Sequence, residues 1–158
     1  MSLAEAAEWC RSLRERGAKV AVTNGVFDLL HRGHAQYLFA ARQCADALLV
    51  AVNSDDSVKR IKGPERPVVG EQDRLFLVAS LEAVDAVVVF SGAKPLDVFR
   101  TIVPDVYVKG GDYDESTIDR EEHAILKKQG VRFCFIPFVQ GRSTTSTIAK
   151  VKSSPEAG

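Results

Sequence analysis

The sequence predicts an α/β fold: a single Rossmann-like domain built on a five-stranded parallel sheet with helices on both faces. Two observations predict it. Five short apolar runs, "KVAVT", "ALLVAV", "AVVVF", "DVYVK" and "VRFCFI", alternate with segments of helical periodicity. Strands without a polar stripe belong to a parallel sheet covered on both sides. The second observation lies just past the runs, where "NGVFDLLHRGH", "NSDDSVKRIKGPERPVV", "GGDYDE" and "PFVQGRSTTST" are polar, glycine-rich or basic. In open parallel sheets, ligands bind beyond the carboxyl ends of the strands, where strand order reverses.

The elements come in a regular order. Residues 3–16 alternate apolar and charged positions at helical spacing, closed by Gly17. The first strand spans 19–23, a helix runs from about Gly33 to Asp46, and the second strand is 47–52. Residues 53–70, rich in Lys and Pro, read as a polar loop. A helix over 71–84 precedes the third strand, 86–90. A short helix, 94–103, carries Pro95 in its first turn and leads to the fourth strand, 105–109. A helix over 120–130 ends at a glycine, the fifth strand is 131–136, and a last helix spans 143–152. One domain over 1–158 is expected, with its core at about 18–150, an N-terminal helix over 1–17 and a frayed tail at 153–158.

The 158 residues include 21 Lys plus Arg and 21 Asp plus Glu, so net charge points to neither a nucleic-acid nor a membrane partner. No apolar run approaches the roughly 18 residues of a membrane span. No signal peptide is seen, and the cytoplasm is the expected compartment. The three cysteines, Cys10, Cys44 and Cys134, are far apart. They read as small buried hydrophobes in a reducing compartment, not as a disulfide framework.

The chemistry concentrates in "HRGH", residues 31–34, at the junction of the first strand and the next helix. No GxxxxGK[ST] and no GxGxxG is present. Gly33 lets backbone approach a ligand, and a helix amino end offers N–H groups and a positive dipole to phosphate. His31 and His34 add donors that strengthen as negative charge builds on phosphate oxygens. A simple cap and a zinc site are the competing readings; no third ligand stands at zinc spacing nearby.

"TNGVFDLLHRGHAQYL" resembles the HxGH nucleotidyltransferases of the cytidylyltransferase-like superfamily. "VAVNSDDSVKRIKGPERPVV", "DRLFLVASLEAVDAVVVF", "PDVYVKGGDY" and "GRSTTSTI" resemble its D-glycero-β-D-manno-heptose 1-phosphate adenylyltransferase branch, over roughly residues 18 to 150. The resemblance implies direct transfer of AMP from ATP to a sugar 1-phosphate with loss of pyrophosphate, accompanied by Mg2+. It implies catalytic roles for His31, His34 and Lys62. The implied nucleotide contacts are Thr23, Asn24, Gly25, Phe27, Gly33, Lys109, Gly110, Gly111, Arg142, Ser143, Thr144 and Thr145. Asp28, Asn53, Lys59, Arg66 and Asp112 are candidate substrate contacts, with Asp28 equally readable as a turn stabiliser. Lys59, Lys62 and Arg66 are expected in a mobile loop that closes on the triphosphate. In "EQDR" the extra Asp73 puts the family position of Arg74 in doubt. This length leaves no room for the heptose kinase domain often fused to the activity, so a stand-alone form with a separate heptose 7-phosphate kinase is expected. The sequence leaves oligomeric state open and is compatible with a homodimer through exposed helices. Two other readings stay open: a CTP-dependent cytidylyltransferase acting on a polyol phosphate such as glycerol 3-phosphate, and a non-catalytic nucleotide-binding domain.

Overall fold

A computed structural model describes residues 1–111, 114–137 and 148. Its elements are α1 (Leu3–Glu15), β1 (Val20–Gly25), α2 (Arg32–Arg42), β2 (Ala47–Asn53), α3 (Asp55–Lys62), α4 (Glu71–Ala79), β3 (Ala86–Phe90), α5 (Leu96–Ile102), β4 (Val106–Gly110), α6 (Arg120–Lys128) and β5 (Arg132–Ile136). The five strands form one sheet in the order β3-β2-β1-β4-β5, with every pairing parallel. Strand order therefore reverses between β1 and β4, which makes their carboxyl ends the switch-point crevice.

The pleat divides the core in two. Val20, Val22, Leu49, Val88 and Tyr107 pack with Ala6 and Cys10 of α1, Val98 and Phe99 of α5 and Leu126 of α6. Ala21, Leu48, Val50, Val52 and Val108 pack with Leu38 and Ala41 of α2 and Val78 of α4. All seven residues of β2 are buried, as expected of a strand covered on both faces. At the other end of the sheet an aspartate precedes each of β2, β3 and β4. Asp46 accepts from the Lys19 N–H, Asp85 from the Leu48 N–H and Asp105 from the Val20 N–H, at 2.7–2.9 Å. These carboxylates satisfy backbone donors that strand pairing leaves over.

Three expectations need correction. Residues 53–70 are not all loop, because Asp55–Lys62 is helical. Ser54 caps it, accepting from the Ser57 N–H at 3.2 Å, and Asp55, Asp56, Lys59, Arg60 and Lys62 suit the helix dipole. Only Ser57 and Val58 are buried, so the helix has almost no apolar stripe by which to be recognised. The helix expected over 71–84 stops at Ala79. Cys44, just past α2, and Cys134, on β5, are joined as a disulfide although 90 residues apart. The two belong to the same layer, the one on the α2 side of the sheet, and sequence distance says nothing about that. Cys10 stays a free thiol, with burial pushing it up to about 11. The expected helix over 143–152 lies outside the described residues. No helix is long and apolar enough to cross a membrane among the described residues.

Arg74, in the first turn of α4, is 1% exposed and gathers the ends of the central strands. Its Nε donates to the Val69 carbonyl at 3.0 Å, and its Nη1 to the Val26 carbonyl at 2.6 Å. Its Nη2 donates to the Asn53 carbonyl and to Asp55 Oδ1, both at 2.8 Å. Those bonds use four of its five N–H donors. Arg74→Ala would leave buried carbonyls and a carboxylate without their donor. It should lower unfolding free energy by about 3–5 kcal/mol, read from urea denaturation. Arg74→Lys should recover little of it, because a point charge does not replace a fork; a wild-type midpoint for either variant would contradict this role.

Candidate functional site

The residues after β1 form the near wall of the crevice. Phe27 and Leu29 have φ of 52° and 48°, a left-handed conformation uncommon for side chains of their size. The chain thereby turns sharply enough to start α2 directly above the strand end. Thr23 Oγ1 and the Tyr37 hydroxyl share a hydrogen bond of 2.6 Å, and Tyr37 donates to the Val108 carbonyl at 3.2 Å. Burial pushes the Tyr37 hydroxyl up to about 12, so it stays protonated. A Cβ on Gly110 would stand 2.6 Å from the Tyr37 ring, and one on Gly25 would stand 2.9 Å from the Phe27 ring. The close approach that these glycines permit is thus to the protein's own aromatic rings.

His31 is the N-cap of α2. Its Nδ1 accepts from the Gly33 N–H at 3.0 Å, and His34 Nδ1 accepts from the His31 N–H at 3.3 Å. The capping reading of these histidines is therefore realised, and N–H groups expected to be open to phosphate are already taken. The caps have a chemical consequence. A ring whose Nδ1 accepts a hydrogen bond carries its proton on Nε2 and is neutral. Neither Nε2 has a hydrogen-bond partner among the described residues. The rings stack with centroids 4.0 Å apart, and His34 meets Phe27 edge to face at 5.6 Å. Burial pushes His34 down to about 4, helped by the neighbouring His31 and opposed by Asp28. Each ring thus keeps its Nε2–H as a donor with no hydrogen-bond partner among the described residues.

Asp28, 2% exposed, spends its carboxylate on the chain between α3 and α4. Oδ2 accepts from Arg66 Nε at 2.8 Å and from the Val68 N–H at 3.0 Å; Oδ1 accepts from the Val69 N–H at 2.9 Å. Burial raises the Asp28 carboxyl, but these donors outweigh it and hold the group below the usual range. Arg66 is thereby pinned. Lys59 and Lys62 lie on α3 and not in a loop, contrary to expectation. Lys59 pairs with Asp56 at 4.0 Å. Lys62, exposed at the last position of α3, lines a cavity of about 490 Å³ with Gly63, Arg66, Val68 and Ile148. Through Asp28 this segment is fastened to the turn that carries the histidines.

The far wall comes from β4. Lys109 Nζ donates to the Tyr107 hydroxyl at 2.9 Å and stands 3.6 Å from Glu122 of α6. The Tyr107 hydroxyl lies 2.7 Å from Asn24 Oδ1 and 3.3 Å from Glu122 Oε2. Gly111, at φ 124°, donates its N–H to the Ile136 carbonyl at 2.9 Å. Asn53, at the end of β2, donates to Ser57 Oγ at 2.9 Å. Asp112, Arg142, Ser143, Thr144 and Thr145 lie outside the described residues. The fold thus brings together Thr23, Asn24, Gly25, Phe27, Asp28, His31, Gly33, His34, Lys109, Gly110 and Gly111 at the switch point. Sequence reasoning does not identify Arg74, Tyr37, Tyr107 and Glu122 as supports of the site, since along the chain they read as an uncertain match, two core aromatics and a first-turn helix acid.

These groups supply hydrogen-bond donors and positive charge, which suit phosphate oxygens. No group of three or more His, Cys, Asp or Glu is placed to hold a metal ion among the described residues. Such donors hold phosphate and not a cation, so an Mg2+ ion at this site would be held by phosphate oxygens and water.

The cytidylyltransferase-like family model matches residues 22–150. The bifunctional protein HldE of Syntrophotalea carbinolica is 44% identical over 145 residues, 92% of this chain and 29% of that protein. HldE of Sulfurimonas denitrificans is 48% identical over 139 residues, 88% of this chain and 28% of that protein. The chain therefore spans less than a third of the curated relatives it matches. The crystal structure of a lipopolysaccharide core biosynthesis protein from Thermoplasma volcanium superposes with a TM-score of 0.64 at 28% identity. That match covers 80% of this chain and all of the other.

The capped histidines lead to a pH prediction. His34 is depressed in the folded state to about 4 from 6.5. Its neutral form therefore contributes stability that is fully present above about pH 6.5 and is lost as pH falls toward 4. Long-range 1H–15N NMR should find both rings as the Nε2–H tautomer at pH 7 and His34 still neutral at pH 5.5. A His34 midpoint near 6.5 would refute the capped, desolvated arrangement.

Proposed function

The chain belongs to the cytidylyltransferase-like family and is a nucleotidyltransferase, and on that premise we propose that it transfers AMP from ATP to D-glycero-β-D-manno-heptose 1-phosphate. The products are ADP-heptose and pyrophosphate, the former destined for lipopolysaccharide core or a related glycan. The observation that carries the reading is the pair of neutral Nε2–H donors, fixed by backbone caps, at the carboxyl end of β1. The heptose acceptor is supported by the resemblance of "VKGGDY" and "GRSTTSTI" and by the relatives named HldE.

In this mechanism the sugar 1-phosphate oxygen attacks the α-phosphorus of ATP. A P–O bond forms on one side, and the bond to the β-phosphate bridging oxygen breaks on the other. No covalent enzyme intermediate forms. His31 and His34 donate from Nε2 to phosphate oxygens whose negative charge grows in the transition state. Because the rings are neutral and their Nδ1 atoms are engaged, they remain donors throughout and take no proton. Asp28 and Arg66 hold the segment connecting α3 and α4, which leaves Lys62 as the cation that meets the departing pyrophosphate. Lys109 and Asn24 contribute donors from the opposite wall. Mg2+, entering with the triphosphate, would neutralise part of its charge.

A pyrophosphate-release assay offers ATP with heptose 1-phosphate beside CTP with glycerol 3-phosphate. The first pair should turn over faster; faster turnover of the second would replace the heptose assignment with the cytidylyl one, and no pyrophosphate from any pair would overturn both. His34→Ala should lower kcat about 100- to 1000-fold with a smaller change in ATP affinity. Lys62 has no side-chain partner among the described residues. Lys62→Ala should accordingly reduce kcat/KM for ATP without moving the urea midpoint.

A further inference from the structure

Glu122 turns a carboxylate into the core although nothing in helix formation asks for it. It sits in the first turn of α6, where an acid is favoured by the dipole. Its neighbour Glu121 meets that preference from the surface, 3.7 Å from both Lys94 and Arg100. Glu122 instead is 5% exposed and faces β4. A buried carboxylate of this kind gives little net stability over a fully apolar pair, although removing it alone would leave Lys109 and the Tyr107 hydroxyl without this partner. What the carboxylate does is organise. Its Oε2 lies 3.3 Å from the Tyr107 hydroxyl and 3.6 Å from Lys109 Nζ. The Tyr107 ring is held edge-on between Phe99, at 4.8 Å, and Phe133, at 6.4 Å. Its hydroxyl accepts from Lys109 and reaches Asn24 Oδ1 at 2.7 Å. That bond orients the Asn24 amide, whose NH2 group carries the donors suited to a phosphate. Lys109 and Asn24 close β4 and β1, on the two sides of the switch point and on the sheet face opposite the histidines.

We infer that Glu122 is a positioning residue: through Tyr107 it fixes the Lys109 ammonium and the Asn24 amide as one donor wall for a phosphate-bearing substrate. The inference rests on the nucleotidyltransferase reading and deepens it. The carboxylate itself touches no substrate. Its effect reaches the reaction only through the placement of Lys109 and Asn24.

The test is a double-mutant cycle on the full chain, using ATP and heptose 1-phosphate. Glu122→Gln should lower kcat/KM about 10- to 100-fold, the scale of a misplaced contact. In a background carrying both Lys109→Ala and Asn24→Ala the same substitution should change it less than about twofold. Equal losses in both backgrounds would assign Glu122 to folding alone and overturn the inference, as would wild-type kinetics in Glu122→Gln. Tyr107→Phe keeps the ring packing and removes only the hydroxyl, so it answers the question even if Glu122→Gln fails to fold. It should reduce kcat/KM in the same direction, and unchanged kinetics would again overturn the inference. Wild-type turnover is the control that separates the two levels. If it is present, these failures strike only Glu122; if no nucleotide and acceptor pair reacts, the transferase reading falls and takes this inference with it.

Discussion

One guanidinium holds the ends of the central strands in place. Arg74 binds the carbonyls that come after β1 and at the end of β2, a carbonyl before α4, and the Asp55 carboxylate at the start of α3. Strand carboxyl ends are where a parallel sheet runs out of its own donors, and a ligand crevice needs those ends open. A buried Arg resolves the conflict, satisfying the carbonyls from within the protein. Asp28 extends the same scaffold in the opposite sense, accepting two backbone N–H bonds and Arg66. Between them, a cation and an anion fasten the α3–α4 connection to the turn that bears the histidines.

Upon that scaffold the histidines act in two capacities that reinforce each other. As caps they use Nδ1 to satisfy backbone donors, which sets the tautomer. As ligand-facing groups they are left with Nε2–H. A protonated ring would lose its cap, suffer repulsion from its stacked neighbour and bear the desolvation that already lowers His34. Neutral donors on a fixed frame match a reaction whose demand is positioning and stabilisation of developing charge.

The crevice has a second wall of different character. Where the histidine wall is built from backbone caps, the β4 wall is built from a chain of side chains, Glu122, Tyr107, Lys109 and Asn24, running from α6 to β1. The two walls lie on opposite faces of the sheet because Thr23 and Asn24 are consecutive in β1 and point to opposite sides. A single strand end thus serves both.

Much of this was legible in the residues alone. Five apolar runs separated by amphipathic segments dictate a covered parallel sheet, because only that arrangement buries strands on both faces. The HxGH spacing placed both imidazoles at the start of α2, since local backbone geometry governs residues three apart. Other features depended on contacts between distant segments. The helix α3 escapes a reading of periodicity because two buried residues carry almost no apolar signal. The union of Cys44 with Cys134, the reach of Arg74 to Val26 and the turning of Glu122 toward Lys109 join residues 90, 48 and 13 positions apart. Propensity and periodicity describe one element at a time. Which polar side chains a buried donor or acceptor will find is decided only when strand order brings the elements together, and that order sets what each catalytic candidate is free to do.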